Sequence, residues 1–328
     1  MAIKSMKVLN IMAFHQKELD LQFGDGINIL IGENGMGKTT LLKMIYAALQ
    51  YSIENQTSGK ELIHFFSNNL RDFSQMKYPG KEKDTCYYEI SDGQHFFKDY
   101  LTKKNGIVSE GWKGLNIQSV FIPTTEMLSH SKGFLAMNQK YNMPFDETQI
   151  DIIVNASLPE TKKVSQSCEI ILKEISEVIN GKVVQEDDTF YIVKNDGRKI
   201  DFSLEAEGMR KLGLLWKLIR NGLLEKDSVL LWDEPEANLN PELYPLVANI
   251  LLALQKNGVQ IFLATHSYNF AKYLEIRRTE REQVFIHNLY RNDLGKEIMS
   301  VSAFKMEDLE PNHIMMADNQ LLDEVYNM

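Results

Sequence analysis

Lys38 and Thr39 end the run Gly32 to Thr39, GENGMGKT, which fits the spacing G-x-x-x-x-G-K-[ST]. The glycines let the backbone curl until several N–H groups point inward. The helix that follows adds its positive end, so the loop is suited to β- and γ-phosphates. Gly32, Asn34, Gly35, Gly37, Lys38, Thr39 and Thr40 are the positions expected to contact a nucleotide such as ATP. Lys38 brings a point charge to the phosphate oxygens, and the Thr39 hydroxyl is an expected Mg²⁺ ligand.

A second set of groups lies about two hundred residues further on, in SVLLWDEPEANLNP. Val229 to Trp232 have the continuous apolar character of a central strand, and Asp233 falls at its carboxyl end, where open α/β sheets bind ligands and where it can hold Mg²⁺ through water. Glu234 follows at once, placed to polarise an attacking water. In QIFLATHS, His266 comes just after another buried strand and is expected on the same sheet edge, beside the γ-phosphate. Lys38, Glu234 and His266 are therefore the expected catalytic groups, and Thr39 and Asp233 the metal ligands.

These groups need elements to hold them. INILIGENGMGKTT followed by LLKMIYAAL reads as strand, glycine-rich loop and helix. The last third keeps a strand-and-helix rhythm, with EGMRKLGLLWKLIRNG and PELYPLVANILLALQKNG as helices between the buried strands. The class is α/β with a mainly parallel sheet. The middle is less regular. Asp92-Gly93 and Asn195-Asp196-Gly197 read as hairpin turns, Lys103-Lys104-Asn105-Gly106 as a break, and Asn292-Asp293-Leu294-Gly295 as the turn of a strand pair. SQSCEIILKEISEVI is a helix that stops at Asn180-Gly181. The expected division is residues 1–50 with the phosphate loop, 51–202 with inserted hairpins and a helical lid, and 203–328 with the acids and the histidine.

Bulk properties bound the rest. At 328 residues, 44% hydrophobic and 25% charged, the chain can bury a full core without metals or disulfides. Cys86 and Cys168 are the only cysteines and form no C-x-x-C pair, so they read as small buried hydrophobes. A net charge of -9 opposes coating nucleic acid by bulk electrostatics, leaving only a local patch for DNA contact. The sequence has no apolar run of about eighteen residues and no leader-like start, so the expected address is the cytoplasm, away from membranes. Phe14 or His15, near the first strand, is a candidate to stack on adenine.

Together, GENGMGKT, DEPEANLNP and ATHS resemble the ABC-type ATPases, including the heads of chromosome-maintenance and repair ATPases and the OLD-like ATPases. The resemblance implies an ABC-ATPase-like P-loop fold with an antiparallel β subdomain and a helical lid. It also implies that Asn238, Leu239 and Asn240 form a loop reaching across a dimer interface, with Asn240 where many relatives carry Asp. LEAEGMRKL, residues Leu204 to Leu212, looks like the signature helix that caps ATP on the opposite subunit, through Glu207, Gly208 and Arg210; Ala206 stands at its serine position. Glu126 matches the loop where relatives place a glutamine near the metal.

The long, strand-rich segment before the signature disfavours a transporter subunit, and the lack of a sustained heptad run disfavours a coiled-coil arm. Over most of its length the chain resembles the compact bacterial ATPases of the AAA-15 and AAA-21 type, and within them the ATPase subunit of PARIS-type phage-defence systems. That implies a homodimer or higher homo-oligomer, a separately encoded TOPRIM-type nuclease effector, and a nucleic acid or phage protein as trigger. The alternative is a DNA-repair or chromosome-maintenance type ATPase that clamps DNA itself.

Overall fold

Alternation of apolar and polar residues in SMKVL and LDLQ gives β1 (Ser5–Leu9) and β2 (Leu19–Gln22), an antiparallel pair with one buried face. The computed structural model describes residues 2–15, 17–53, 62–66, 73–78, 85–101, 107–292 and 297–327. β3 (Ile27–Gly32) is buried at every position and runs through the phosphate loop into α1 (Lys38–Tyr51). β4 (Cys86–Ser91), β5 (Phe96–Leu101) and β6 (Ile107–Gly111) then join β1, giving a five-stranded antiparallel sheet in the order β2-β1-β4-β5-β6. Asp92-Gly93 turns β4 into β5, the Asp92 carboxylate accepting from the Gln94 and His95 amides.

β7 (Ser119–Ile122) enters the central sheet at its edge, and three helices follow: α2 (Phe134–Tyr141), α3 (Glu147–Ser157) and α4 (Gln166–Val178). Asp146 starts α3 with a reciprocal capping box to Gln149, and Ser165 caps α4 through the Cys168 amide. β8 (Gly181–Glu186), β9 (Thr189–Lys194) and β10 (Lys199–Asp201) form a small antiparallel sheet, its second turn made by Asn195-Asp196-Gly197 as expected.

From α5 (Glu207–Arg220) the rhythm is regular: β11 (Val229–Asp233), α6 (Tyr244–Lys256), β12 (Gln260–Ala264), α7 (Tyr268–Arg277), β13 (Val284–Arg291), β14 (Ile298–Ala303) and α8 (His313–Tyr326). The central sheet has the order β14-β13-β3-β12-β11-β7, parallel throughout except for β14. Both larger sheets cross residue 50, since β1 pairs with β4 and β3 with β12 and β13. The turns expected at Lys103 to Gly106 and at Asp293 to Gly295 lie outside the described residues.

Side chains on a strand point alternately to opposite faces, and here each face meets its own core. Ile27, Ile29, Ile31, Leu230, Trp232, Ile261 and Leu263 pack toward the helices α3 to α6. Leu30, Val229, Leu231, Phe262 and Ala264 pack toward α1 and the antiparallel sheet. Both faces of the parallel strands are covered, which explains their unbroken apolar sequence. Cys86 and Cys168 are both buried. Among the described residues no helix is long and apolar enough to cross a membrane.

Candidate functional site

The loop between β3 and α1 depends on left-handed glycines. Gly35 has φ 78° and Gly37 φ 82°, conformations that cost an L side chain about 1–2 kcal/mol. A Cβ on Gly37 would also lie 2.4 Å from the Phe14 ring. Phe14 is thus the floor of the loop, 1% exposed, and His15 is stacked on Tyr78 at 3.6 Å between ring centroids. Neither ring offers the open face that adenine stacking needs, which corrects the expectation placed on them. α1 begins at Lys38 with no side-chain cap and no acid in its first turn, so its first amides are available to an anion.

The five expected side chains meet at the carboxyl ends of β3, β11 and β12. Lys38 is buried and its ammonium donates to the Gly32 carbonyl at 2.8 Å, the Glu33 carbonyl at 2.9 Å and His266 Nδ1 at 3.3 Å. Nδ1 therefore accepts, and the ring proton sits on Nε2, 3.4 Å from the Glu234 carboxylate. Burial and the neighbouring Lys38 charge hold the His266 pKa down, keeping the ring neutral at neutral pH. Thr39 Oγ1 donates to both Asp233 oxygens at 3.0 Å. Burial pushes the Asp233 pKa up, against the hydroxyls that hold it down.

Burial also lowers the Lys38 pKa from 10.5 to about 8, although Asp233, Glu234 and Glu236 pull it the other way. The sign of a pH effect follows. Polyphosphate favours the charged amine, so binding restores a proton that the free protein has begun to lose. ATP affinity is expected to fall as pH rises through about 8, approaching tenfold per pH unit, with proton uptake on binding. Calorimetric titration at pH 8.5 in two buffers of different ionisation enthalpy checks this; equal binding heats in both would refute it.

Three groups that the motif spacing did not single out belong to the same arrangement. Thr124, in the loop after β7, donates to Asp233 Oδ2 at 3.1 Å. Glu236 accepts from the Thr265 hydroxyl at 2.6 Å and the His266 amide at 3.1 Å, fixing the turn that carries the imidazole. Lys211 of α5 donates to the Glu234 carbonyl at 3.3 Å and to the Ala237 carbonyl. An acid two residues beyond Glu234 was visible in DEPE, but Thr124 and Lys211 gave no local signal. Glu126, expected near the metal, instead accepts from the Leu128 and Ser129 amides and pairs with Arg210 at 3.2 Å. Thr124 is the residue of that loop that reaches Asp233.

α5 starts at the expected signature segment. Ala206 is its N-cap and makes no side-chain cap, having no oxygen to accept with. Gly208 is buried against the following loop, a built Cβ lying 3.3 Å from Leu239. Glu207 accepts from Asn238 at 2.9 Å, and Asn240 uses its side chain on Glu242. Leu204, just before the helix, is 81% exposed.

The arrangement fits a magnesium-bound triphosphate. The uncapped helix start and the Lys38 amine suit phosphate oxygens. One carboxylate flanked by the Thr39 and Thr124 hydroxyls suits an ion that keeps several waters, and among the described residues no cluster of three His, Cys, Asp or Glu forms a closed cage.

Comparison with solved structures shows that the fold is a known one. An SMC head bound to the C-winged helix domain of ScpA superposes with a TM-score of 0.58 at 13% identity, over 92% of this chain and 98% of that one. The SMC head domain from Thermotoga maritima gives 0.54 at 15%, over 92% and 99%. The chain has the ABC-ATPase-like P-loop fold. Within the ABC-type fold, residues 131–271 match the family described as "AAA domain, putative AbiEii toxin, Type IV TA system", a span that includes α5, Glu234 and His266 and begins after the phosphate loop. The chain is also similar to the DNA replication and repair protein RecF of Streptococcus uberis, 28% identical over 99% of this chain and 85% of that protein. Similarity to RecF of Clostridium kluyveri is 32% but spans only 37% of this chain and 28% of that protein.

Proposed function

We propose that this chain binds ATP with Mg²⁺, hydrolyses it, and closes as a homodimer around it. The observation that carries the reading is the continuous contact from Lys38 through His266 to Glu234, which joins a phosphate-binding amine to a candidate base through one neutral imidazole. The amides of the Gly32 to Thr40 segment and Lys38 hold the phosphates. Thr39 and Asp233 would hold Mg²⁺, which would supply charge neutralisation to the phosphate. Glu234 draws the proton from the attacking water, and His266, donating from Nε2, holds that carboxylate in aim. Gly208 and Asn240 serve the partner subunit's nucleotide.

For the output of the cycle, the similarity to RecF over nearly the whole chain favours engagement of DNA through a local patch. The toxin–antitoxin wording of the family matched by residues 131–271 favours the second reading, control of a separately encoded effector such as a nuclease in phage defence. Light scattering with and without a slowly hydrolysed ATP analogue is expected to show monomer turning to dimer; a nucleotide-bound monomer would remove the composite site. Salt-dependent binding of duplex DNA by the isolated dimer supports the first output, and its absence together with co-purification of a neighbouring gene product supports the second.

A further inference from the structure

Glu234 lies at φ 48°, in the left-handed region, with no glycine to make that conformation free. Its peptide is held on both sides. The Glu234 amide donates to the Ala264 carbonyl of β12 at 2.9 Å, and the Glu234 carbonyl accepts from Lys211 at 3.3 Å. Lys211 also takes the Ala237 carbonyl, so one ammonium ties together the two ends of the turn Glu234 to Ala237. Lys211 is 3% exposed and comes from the second turn of α5, one residue after the arginine that pairs with Glu126. Carboxylates of Glu207, Glu236, Glu234 and Glu126 surround it, which opposes the loss of charge that burial promotes.

A buried ammonium spent on two carbonyl oxygens is costly to keep, since it forms no close ion pair and a methionine would fill the same space. What it provides is direction. With the amide of Glu234 fixed to the sheet and its carbonyl fixed to a helix, the side chain leaves the turn along one line, toward His266 Nε2. We propose that Lys211 is the positioning residue of the candidate base: it sets the aim of the Glu234 carboxylate and makes that aim depend on where α5 sits. The inference rests on the ATPase reading and deepens it, for α5 is also the helix expected to meet the partner subunit's ATP. The geometry gives each site a mechanical link to the other through Lys211 in place of a direct contact.

The test uses the full chain with Lys211→Met and Lys211→Arg. Lys211→Met is expected to lower kcat between about 10- and 100-fold, as a small misplacement of the base would, with affinity for a slowly hydrolysed ATP analogue changed less than about twofold. Lys211→Arg, which keeps a cation and donors, recovers most of the rate. Without any nucleotide, amide hydrogen exchange of residues 234–239 is expected to quicken in Lys211→Met and to stay slow in Lys211→Arg. A wild-type kcat, a loss of affinity that matches the loss of kcat, or unchanged exchange in the turn would each overturn the proposal. If Lys211→Met does not fold, Lys211→Gln serves the same comparison. Failure of the ATPase reading shows separately, as wild-type protein that neither binds nor hydrolyses ATP, and the exchange measurement then still decides whether Lys211 holds the turn.

Discussion

Glu234→Gln lowers ATP turnover by about 10²- to 10⁴-fold, the range expected when a general base is removed from a positioned water, and leaves ATP bound. The amide is the same size as the carboxylate and can still accept from His266 Nε2, now 3.4 Å away, so the turn and the imidazole keep their places. The groups that hold phosphate keep their places, because Lys38 makes its hydrogen bonds with Gly32, Glu33 and His266. Only the capacity to take a proton is lost, so the effect falls on kcat. The bound state then persists, and the nucleotide-closed dimer accumulates. Phosphate release and retention of radiolabelled ATP on a filter measure both halves. Turnover at the wild-type rate would remove Glu234 from the role of base.

Lys38→Ala acts on the other half of the cycle and is expected to weaken ATP binding by at least about 100-fold, equivalent to about 2.7 kcal/mol. The amine is buried, so its charge meets phosphate in a low-dielectric setting where it counts for more than it would at the surface. Its removal also leaves the Gly32 and Glu33 carbonyls without their donor, at about 1–3 kcal/mol for each buried group left unsatisfied. Lys38→Met separates the two effects, since it refills the space while removing the charge. Calorimetry on both variants, with thermal melting to establish that they fold, gives the answer. ATP affinity within about threefold of wild type in Lys38→Met would mean that the loop binds by its amides alone.

The groups most legible in the sequence were those whose chemistry is local. GENGMGKT announces itself because its glycines, amine and hydroxyl all serve one curl of backbone. Asp233 and His266 stand out because each ends an apolar run, and the sheet brings such ends to one edge. Hairpin turns at Asp92-Gly93 and Asn195-Asp196-Gly197 were legible for the same reason. Thr124 and Lys211 were not, because a hydroxyl and an amine in ordinary surroundings acquire their roles only when β7 comes to lie beside β11 and α5 beside the turn after it. Glu126 shows the converse error: its place in the loop after β7 matched, but Arg210 and two local amides claim its carboxylate. The alternation in SMKVL and LDLQ accounts for β1 and β2, but nothing in it says that β4 would lie beside β1.

The two cores on opposite faces of the central sheet make the chemistry intolerant of miscounting. Along β12, Ile261 and Leu263 belong to one core and Phe262 and Ala264 to the other. Deleting a single residue there would trade the two sets and turn His266 through half a revolution, away from Lys38. Several residues added to the hairpin at Gly93 would displace nothing in the site. Tolerance to length change should therefore vary along the backbone as sharply as tolerance to substitution, with a minimum in β12, five residues that include none of the site's side chains.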